Sequence, residues 1–405
     1  VDVEVTVTVD ESTIPDGYAV VGGNPQQFTF GSEYLNTDAA QWLIVLMPAD
    51  VAAAQGEAPD STEETAEATE AATESGSASG LTIEPGQDWI AYVGDDGNIW
   101  LMQPDGSQRK QVTTDGNVDG GFPTYNMPAW SHDGTMLTFT GGGDEKSGIW
   151  VLREGELSLL PNTGASCHGP AFSADNQRVL YTCSQNIATG DPVPADLAAN
   201  PLRGFVTSSA LDGSDQRIEV PYSLDGSGVD WTSDAKAMHY GSRVDVRPSD
   251  GAIMVVYSGF HKAGVHLFTS DGTLTSSFEL YNDDEWLGPY DAHLTADGTG
   301  IIATVCTAGC MPPYDSPVHD IVQLDLSGNL LERWTQSPPY QTSAGVDMAP
   351  DGSRVVAAEG NSGYKDALIV VYQAPMQPAT IGFGLNPAWQ PNPDVAMERP
   401  VSTGP

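Results

Sequence analysis

The sequence has few basic residues: 15 lysines and arginines stand against 55 aspartates and glutamates, for a formal net charge of −40. Nucleic acids and anionic membrane surfaces attract cationic patches, so this balance argues against both as partners. An excess of acidic residues favours solubility in salt water, which suits a secreted or surface protein. We therefore predict no nucleic-acid partner and read the charge as a property of the whole surface.

Long apolar runs are also lacking. The run Trp42–Met47 has only the length of a strand, whereas a membrane-spanning helix needs about 20 apolar residues. We predict no membrane span. The sequence starts at Val1 without a methionine, and we interpret it as a processed product whose signal or anchor was removed before Val1.

Cysteine is scarce, and the first pair flanks a predicted hairpin. If Phe172 faces Val179 across the turn, Cys167 falls within one residue of facing Cys183. Side chains that face each other on antiparallel strands are close enough to bond, so we predict a cross-strand disulfide.

The second pair, Cys306 and Cys310, is spaced to close a tight loop. A metal site is the alternative use of four cysteines. It is disfavoured because the spacing is not Cys-x-x-Cys and the two pairs lie in different repeats. Two disulfides indicate an oxidising compartment, and we predict a secreted, periplasmic or cell-surface location.

A phrase that combines a short strand, an Asp-Gly turn and a second apolar strand recurs along the chain. Its fullest copy is Pro128–Thr140, and weaker copies open at residues 170, 229, 292, 346 and 387. Repeated hairpin units are typical of β-propellers, so the copies predict six blades. The blade that begins at Trp89 lacks an opening strand. The truncated copy Pro387–Trp389 supplies one, which would close the ring.

Four of the six copies carry an aromatic residue that is expected to fill the wedge between blades: Trp130, Phe172, Trp231 and Trp389. The segments Ile90–Val93, Asn98–Gly106 and Pro128–Gly134 resemble the repeats of TolB-type six-bladed β-propellers, a WD-like repeat family. The resemblance extends over residues 81–392 and implies an all-β, six-bladed fold, but it says little about function. Three segments depart from the repeat and are predicted to be inserted loops: Gln185–Arg203, Arg243–Gly259 and Thr307–Asp320.

Outside the repeats, three further segments are predicted. Residues 1–50 form a small β-sandwich-like domain or docking segment, because apolar residues alternate with polar ones along Val1–Val9. Residues 51–80 are an acidic Ala/Glu/Thr/Ser linker, and residues 393–405 are a proline-rich tail. The strand at residues 1–10 either adds to a partner's sheet or pairs within its own domain, which is the commoner outcome.

Three consecutive copies carry ionisable residues at one equivalent position of the opening strand: Asp230, His293 and Asp347. If these side chains face the central channel they converge, and they could then hold a divalent metal ion or polarise a water molecule. The alternative, which we favour, is a polar, water-filled channel without chemistry of its own, since a fold does not define a function.

Further polar residues are predicted at the mouth of the same channel: Asn126, His168, Tyr290, Asp291 and Asn386. An acidic loop, Asp283, Asp284 and Glu285, is a candidate Ca²⁺ ligand set, but it lacks the EF-hand spacing, so a solvated loop is the alternative. No phosphate loop, nucleophile elbow or catalytic triad can be assembled. Apart from Ca²⁺ at that loop, we predict no cofactor.

Two functions are consistent with these features. The first is a non-catalytic extracellular or cell-surface module that binds protein partners or assembles with itself through residues 1–10, as a surface-layer, filament or envelope component would. The second is a hydrolase or lyase at the channel mouth, metal-dependent or not, that uses Asp230, His293 and Asp347. The lack of a catalytic signature favours the first.

Overall fold

The computed structural model of the chain describes residues 3–7, 18–20, 26–30, 46–48, 81–119, 122–142, 146–161, 163, 167–183, 206–220, 240–258, 263–279, 291–308, 318–335, 342–360, 367–375 and 377–396. The chain divides into two units, Val1–Thr73 and Glu74–Pro405. The division falls inside the predicted linker 51–80, which lies outside the described residues. The predicted domain boundaries themselves stay a prediction.

The first unit contains β1 (Val3–Val7), β2 (Tyr18–Val20), β3 (Gln26–Phe30) and β4 (Leu46–Pro48). The alternating run at the start of the chain forms a strand, and its partner is local: β1 pairs antiparallel with β3 from Val3↔Phe30 to Val7↔Gln26. β2 pairs with β4 in the same way. The sandwich-like arrangement of these strands stays a prediction.

The second unit is almost entirely β-structure. Its elements are β5 (Ile90–Val93), β6 (Ile99–Met102), β7 (Lys110–Gln111), β8 (Val118–Asp119), β9 (Phe122–Pro123), β10 (Tyr125–Trp130), β11 (Leu137–Gly141), β12 (Gly148–Arg153), β13 (Glu156–Leu159), β14 (Cys167–Phe172), β15 (Arg178–Cys183), β16 (Val206–Ala210), β17 (Arg217–Val220), β18 (Tyr240–Val246), β19 (Ile253–Ser258), β20 (Ala263–Phe268), β21 (Leu274–Glu279), β22 (Ala292–Leu294), β23 (Gly300–Ala308), β24 (Val318–Asp325), β25 (Leu330–Arg333), β26 (Thr342–Met348), β27 (Val355–Gly360), β28 (Leu368–Tyr372), β29 (Pro378–Phe383), β30 (Leu385–Trp389) and the short helix α1 (Pro393–Ala396).

Within the described residues β8 and β9 pair with each other, and the remaining strands of this unit form six four-stranded antiparallel sheets, which are the blades of a propeller. Blade 1 is β10–β13, blade 2 is β14–β17, blade 3 is β18–β21, blade 4 is β22–β25, blade 5 is β26–β29, and blade 6 is β30 with β5–β7. The opening strands β10, β14, β18, β22, β26 and β30 lie next to one another around the axis. The prediction of a six-bladed β-propeller is thus confirmed.

Blade 6 closes the ring as the sequence predicts. β30 pairs with β5, from Leu385↔Val93 to Trp389↔Ile90, so that the two ends of the repeat region share one sheet. The buried side chain of Gln390 reinforces this junction. It accepts a hydrogen bond from the backbone N–H of Trp89 (3.2 Å) and donates to the backbone oxygens of Glu84 (2.8 Å) and Gly134 (2.7 Å).

The Asp-Gly turn of the repeat is stabilised by its own side chains. Asp133 Oδ1 accepts hydrogen bonds from the Ser131 hydroxyl (2.6 Å) and from the backbone N–H of Thr135 (3.0 Å). Gly134 follows with φ +71°, a conformation that residues with a Cβ rarely adopt. Blade 4 repeats the arrangement with Thr295 and Asp297. The regular spacing of the recurring segment therefore serves to form the turn of each hairpin, which is a structural role.

Large side chains fill the space between blades, as predicted for Trp130, Phe172 and Trp389. Each is less than one-tenth exposed, and the indole Nε1 of Trp130 donates to the backbone oxygen of Ala388 in blade 6 (2.9 Å). Such wedges exclude water from the contact between neighbouring sheets. Trp231 lies outside the described residues.

Blade 3 opens at a different place from the one predicted. The expected opening strand starts at Val229, but the structure has β18 at Tyr240–Val246, and residues 221–239 lie outside the described part of the chain. Likewise, most of the predicted insertion Arg243–Gly259 belongs to β18 and β19. The copy was missed because the turn Arg247–Gly251 is one residue longer than Ser131–Gly134 and no aromatic residue precedes it.

Two smaller features complete the chain. The predicted extended tail begins with α1, and residues 397–405 lie outside the described part. Among the described residues, no helix is both long and apolar enough to cross a membrane.

Candidate functional site

The opening strands bring equivalent residues of neighbouring blades together around the axis. His293 of β22 and Asp347 of β26 occupy equivalent positions in the opening strands of blades 4 and 5, as predicted. Each pairs with the second strand of its own blade, His293 with Ile302 and Asp347 with Val356. Asp230 lies outside the described residues. In blade 3 the equivalent position belongs to Asp245, which pairs with Met254. The remaining three blades carry alanine there: Ala129, Ala171 and Ala388.

The carboxylates at this position bind the backbone of the next blade. Asp245 Oδ2 accepts a hydrogen bond from the N–H of Leu294 in blade 4 (2.8 Å), and Oδ1 accepts one from Val246 (2.7 Å). Asp347 of blade 5 repeats this geometry two blades further along the ring. Its Oδ2 accepts from Trp389 in blade 6 (2.7 Å) and its Oδ1 from Met348 (2.7 Å). Carboxylate oxygens that accept backbone N–H groups satisfy donors that burial would otherwise leave unpaired.

Two buried basic side chains lie beside carboxylates of the axis. Arg243 Nε is 2.8 Å from Asp291 Oδ1, and His293 has Nδ1 3.7 Å from Asp245 Oδ2 and Nε2 3.6 Å from Asp291 Oδ2. Arg243, Asp291 and His293 are each less than one-tenth exposed. We refer to Arg243, Asp245, Asp291, His293 and Asp347 as the axial cluster.

Charges in the axial cluster shift the pKa of its members. Burial alone would favour neutral Asp291, but the positive charges of Arg243 and His293 lower its pKa to about 2. Burial and Arg243 oppose protonation of His293, yet the surrounding carboxylates raise its pKa to about 10. Burial raises the pKa of Asp347 to about 6, against the attraction of His293. The carboxylates of the cluster thus favour the protonated form of His293.

The predicted mouth residues are only partly brought together. Asn386 Nδ2 donates a short hydrogen bond to Asn126 Oδ1, which joins blades 6 and 1. Asp291 belongs instead to the axial cluster, where it pairs with Arg243. His168 lies in β14 of blade 2, and Tyr290 lies outside the described residues. A single binding mouth made by all five residues therefore stays a prediction.

The disulfide between Cys167 and Cys183 is confirmed. These residues face each other across β14 and β15, while Phe172 faces Val179. The one-residue mismatch expected from the sequence is absorbed by a β-bulge between His168 and Ala171. The side chain of Cys306, and Cys310 as a whole, lie outside the described residues.

The candidate calcium loop cannot be placed, because Asp283, Asp284 and Glu285 lie outside the described residues. In the part of the chain that is described, no three His, Cys, Asp or Glu side chains are grouped so that they could hold a metal ion. The predictions of Ca²⁺ at the loop and of a metal at the channel position thus stay untested.

The sequence does not single out Arg243 or His132. Arg243 falls in a predicted insertion because the third copy of the repeat is predicted too early in the chain. The pKa of His132 is lowered by burial, while the charge of Asp245 and a hydrogen bond to the Phe172 backbone oppose this shift. The signal that could have found Arg243 is the sequence Val244-Asp245-Val246 ahead of an Asp-Gly turn.

No protein-family model matches the chain. Among solved structures, the chain is similar to TolB from Acinetobacter baumannii (17% identity, 75% of this chain and 67% of that one, TM-score 0.49). It is also similar to a putative TolB from Agrobacterium tumefaciens (15%, 78% and 96%, TM-score 0.43). A third similar structure is a gluconolactonase from Xanthomonas campestris (14%, 76% and 88%, TM-score 0.42). At such identities the likeness concerns the fold alone.

Proposed function

We propose that the protein is a non-catalytic binding or assembly module of an extracytoplasmic compartment, whose partners are proteins or further copies of itself. The observation that supports this most directly is the use of the axial carboxylates. In Asp245 and in Asp347, both carboxylate oxygens accept hydrogen bonds from backbone N–H groups. Side chains held in this way stabilise the ring and are poorly placed to exchange partners during a reaction.

The compartment is inferred from the disulfide. Cys167–Cys183 joins the first two strands of blade 2, and such bonds persist mainly in secreted, periplasmic and surface proteins. The formal charge of −40 suits a protein that meets salt water or cationic partners.

Assembly is tested by measuring mass in solution with size-exclusion chromatography and light scattering over a range of concentrations. We expect the full chain to form oligomers and a variant lacking Val1–Asp10 to lose them. The reason is that β1 pairs with β3 along one edge in the described residues and can add to a partner's sheet along the other. A variant lacking residues 397–405 is the control and should keep the mass of the full chain. A full chain that is monomeric at every concentration, or a shortened chain that still assembles, contradicts self-assembly through this strand.

A second candidate function is acid–base catalysis at the axis. It is favoured by the pKa of Asp347, which burial raises to about 6, because a carboxylate with a pKa near neutrality can act as a general base. The test is a panel of ester, lactone and uronate substrates assayed with the wild type and Asp347→Asn. Turnover that the variant loses by about 100-fold or more supports catalysis; no turnover, or turnover the variant retains, counts against it.

A further inference from the structure

Carboxylates of the axial cluster connect four blades in sequence. Asp245 of blade 3 binds Leu294 of blade 4 (2.8 Å), and Asp347 of blade 5 binds Trp389 of blade 6 (2.7 Å). The step between them is made by Asp291, which precedes β22 of blade 4 and accepts from the N–H of Val346 in blade 5 (3.1 Å). Among the described residues, these bonds form a continuous series of inter-blade clamps from blade 3 to blade 6.

The imidazole of His293 lies next to the carboxylates of two of these clamps, Asp245 and Asp291. Its Nδ1 faces the Oδ2 of Asp245 that binds Leu294, and its Nε2 faces the Oδ2 of Asp291 that binds Val346. Asp347 acts on it electrostatically from blade 5. A neutral imidazole has one nitrogen without a proton, and that lone pair would face a carboxylate oxygen whichever tautomer formed. The geometry therefore calls for the doubly protonated ring.

We propose that the imidazolium of His293 is the shared counter-ion of the clamps on blades 3 to 6, and that loss of its proton at alkaline pH loosens this half of the ring. The reason is charge balance. With His293 protonated, three carboxylates face two cations, His293 and Arg243; without the proton they face Arg243 alone. Uncompensated buried charges are costly, so the carboxylates would exchange backbone N–H groups for water.

Other charged groups around His293 do not replace it. Arg243 from β18 already pairs with Asp291. His132, from the turn of blade 1, acts on Asp245, but burial lowers its pKa, so it is neutral in the alkaline range where His293 titrates. The pKa of His293, raised to about 10, agrees with the geometry. A histidine in the unfolded chain titrates near 6.5, so its contribution to folding is complete below about pH 6.5 and is lost as the pH rises through about 10.

The protonation state can be observed directly by NMR of the wild-type protein with ¹⁵N-labelled histidine. Of the seven histidines, we expect one to keep both ring protons at pH 8.5, to lose one proton near pH 10, and to disappear in His293→Gln. If that variant does not fold, assignment through proximity to the Leu294 amide replaces it. Absence of a doubly protonated ring at pH 8.5, or its assignment to another histidine, overturns the proposal.

The clamp itself is tested by urea unfolding of the wild type, His293→Gln and His132→Gln between pH 6 and 10.5. The unfolding constants of wild type and His293→Gln should converge with rising pH, by up to about tenfold per pH unit between 6.5 and 10, since only the wild type loses this proton. His132→Gln is the matched control, a second buried histidine. Because the pKa of His132 is lowered by burial, its difference from the wild type should stay constant above about pH 7.5, where this residue is neutral in both the folded and the unfolded chain. A difference for His293→Gln that is constant above about pH 7.5 overturns the proposal.

Discussion

Asp347 shows that one residue of the axis meets two opposing physical demands. Its oxygens are needed as acceptors for Trp389 and Met348, which favours the carboxylate. Burial disfavours the charged form, and this effect is larger than the stabilisation by the hydrogen bonds, so the pKa of Asp347 is raised to about 6. The turn aspartates behave in the opposite way. At Asp175, hydrogen bonds from Ser173 and Gln177 lower the pKa of an exposed carboxylate. Position in the fold, not residue type, therefore sets the sign of the shift.

This contrast predicts opposite pH profiles for Asp347→Asn and Asp175→Asn. Because the folded-state pKa of Asp347 is raised, the wild type gains stability relative to Asp347→Asn as the pH falls from about 6 towards 4, by at most about 1.4 kcal/mol per pH unit. The lowered pKa of Asp175 gives the reverse: the wild type loses its advantage over Asp175→Asn as the pH falls below the unfolded value. Urea unfolding at pH 3.5–7 measures both, and parallel profiles would show that Asp347 is not perturbed.

The residues that carry the axial cluster could be predicted only where the repeat is regular. The sequence predicts His293 and Asp347 because their copies keep the spacing of the repeat. It does not predict Asp245 and Arg243, because one extra residue in the turn Arg247–Gly251 places the third copy out of alignment with the others. The ion pair of Asp291 could not be predicted either, because the sequence does not show that Arg243 of the preceding blade lies beside it.

At the scale of the element, the repeated hairpin is specified by its own residues, the two strands and the Asp-Gly turn between them. The same turn also makes contacts with the neighbouring blade. Gly134 in the turn of blade 1 has φ +71°, and a Cβ built on it would lie 2.7 Å from the backbone oxygen of Pro391, beyond the closing strand of blade 6. The glycine is required twice over, for the conformation of the turn and for the close approach of the neighbouring chain.

Gly134→Ala should therefore lower the free energy of unfolding by about 1–3 kcal/mol, because the side chain is strained at positive φ and meets backbone that cannot move aside. Gly142→Ala in the same blade is the matched control. Its Cβ would have its nearest neighbour, the Thr124 oxygen, at an ordinary 3.5 Å. Denaturant unfolding compares the two, and equal losses would mean that the turn does not need a glycine.

At the scale of the whole molecule, closure decides whether the blades form one ring. β30 supplies the opening strand of blade 6, and its residues Leu385, Ala388 and Trp389 belong to an apolar cluster that extends from blade 5 to blade 1. Its loss would uncover β5 as an edge strand and remove the Asp347–Trp389 clamp.

A chain that ends at Gly384 should therefore unfold at a much lower temperature than the full chain and aggregate, as followed by circular dichroism and light scattering. The exposed edge of β5 and the uncovered apolar cluster are the physical causes. A chain that ends at Ala396 keeps β30 and α1 and is expected to behave like the full chain. If the chain that ends at Gly384 melts cooperatively at the full-chain temperature, closure does not stabilise the ring.

The sequence by itself determined the six-bladed ring, its closure by Pro387–Trp389 and the pairing of Cys167 with Cys183, because these features depend on residues close in the chain or on a repeated phrase. Only the tertiary structure decided that the axial carboxylates accept hydrogen bonds from the backbone of the next blade, and that two of them lie beside His293. Their backbone partners lie 42 to 55 residues away, one irregular repeat along the chain. Local patterns of hydrophobicity and turn residues specify each blade, whereas the lengths of the connections, which those patterns do not encode, set which residues meet at the axis.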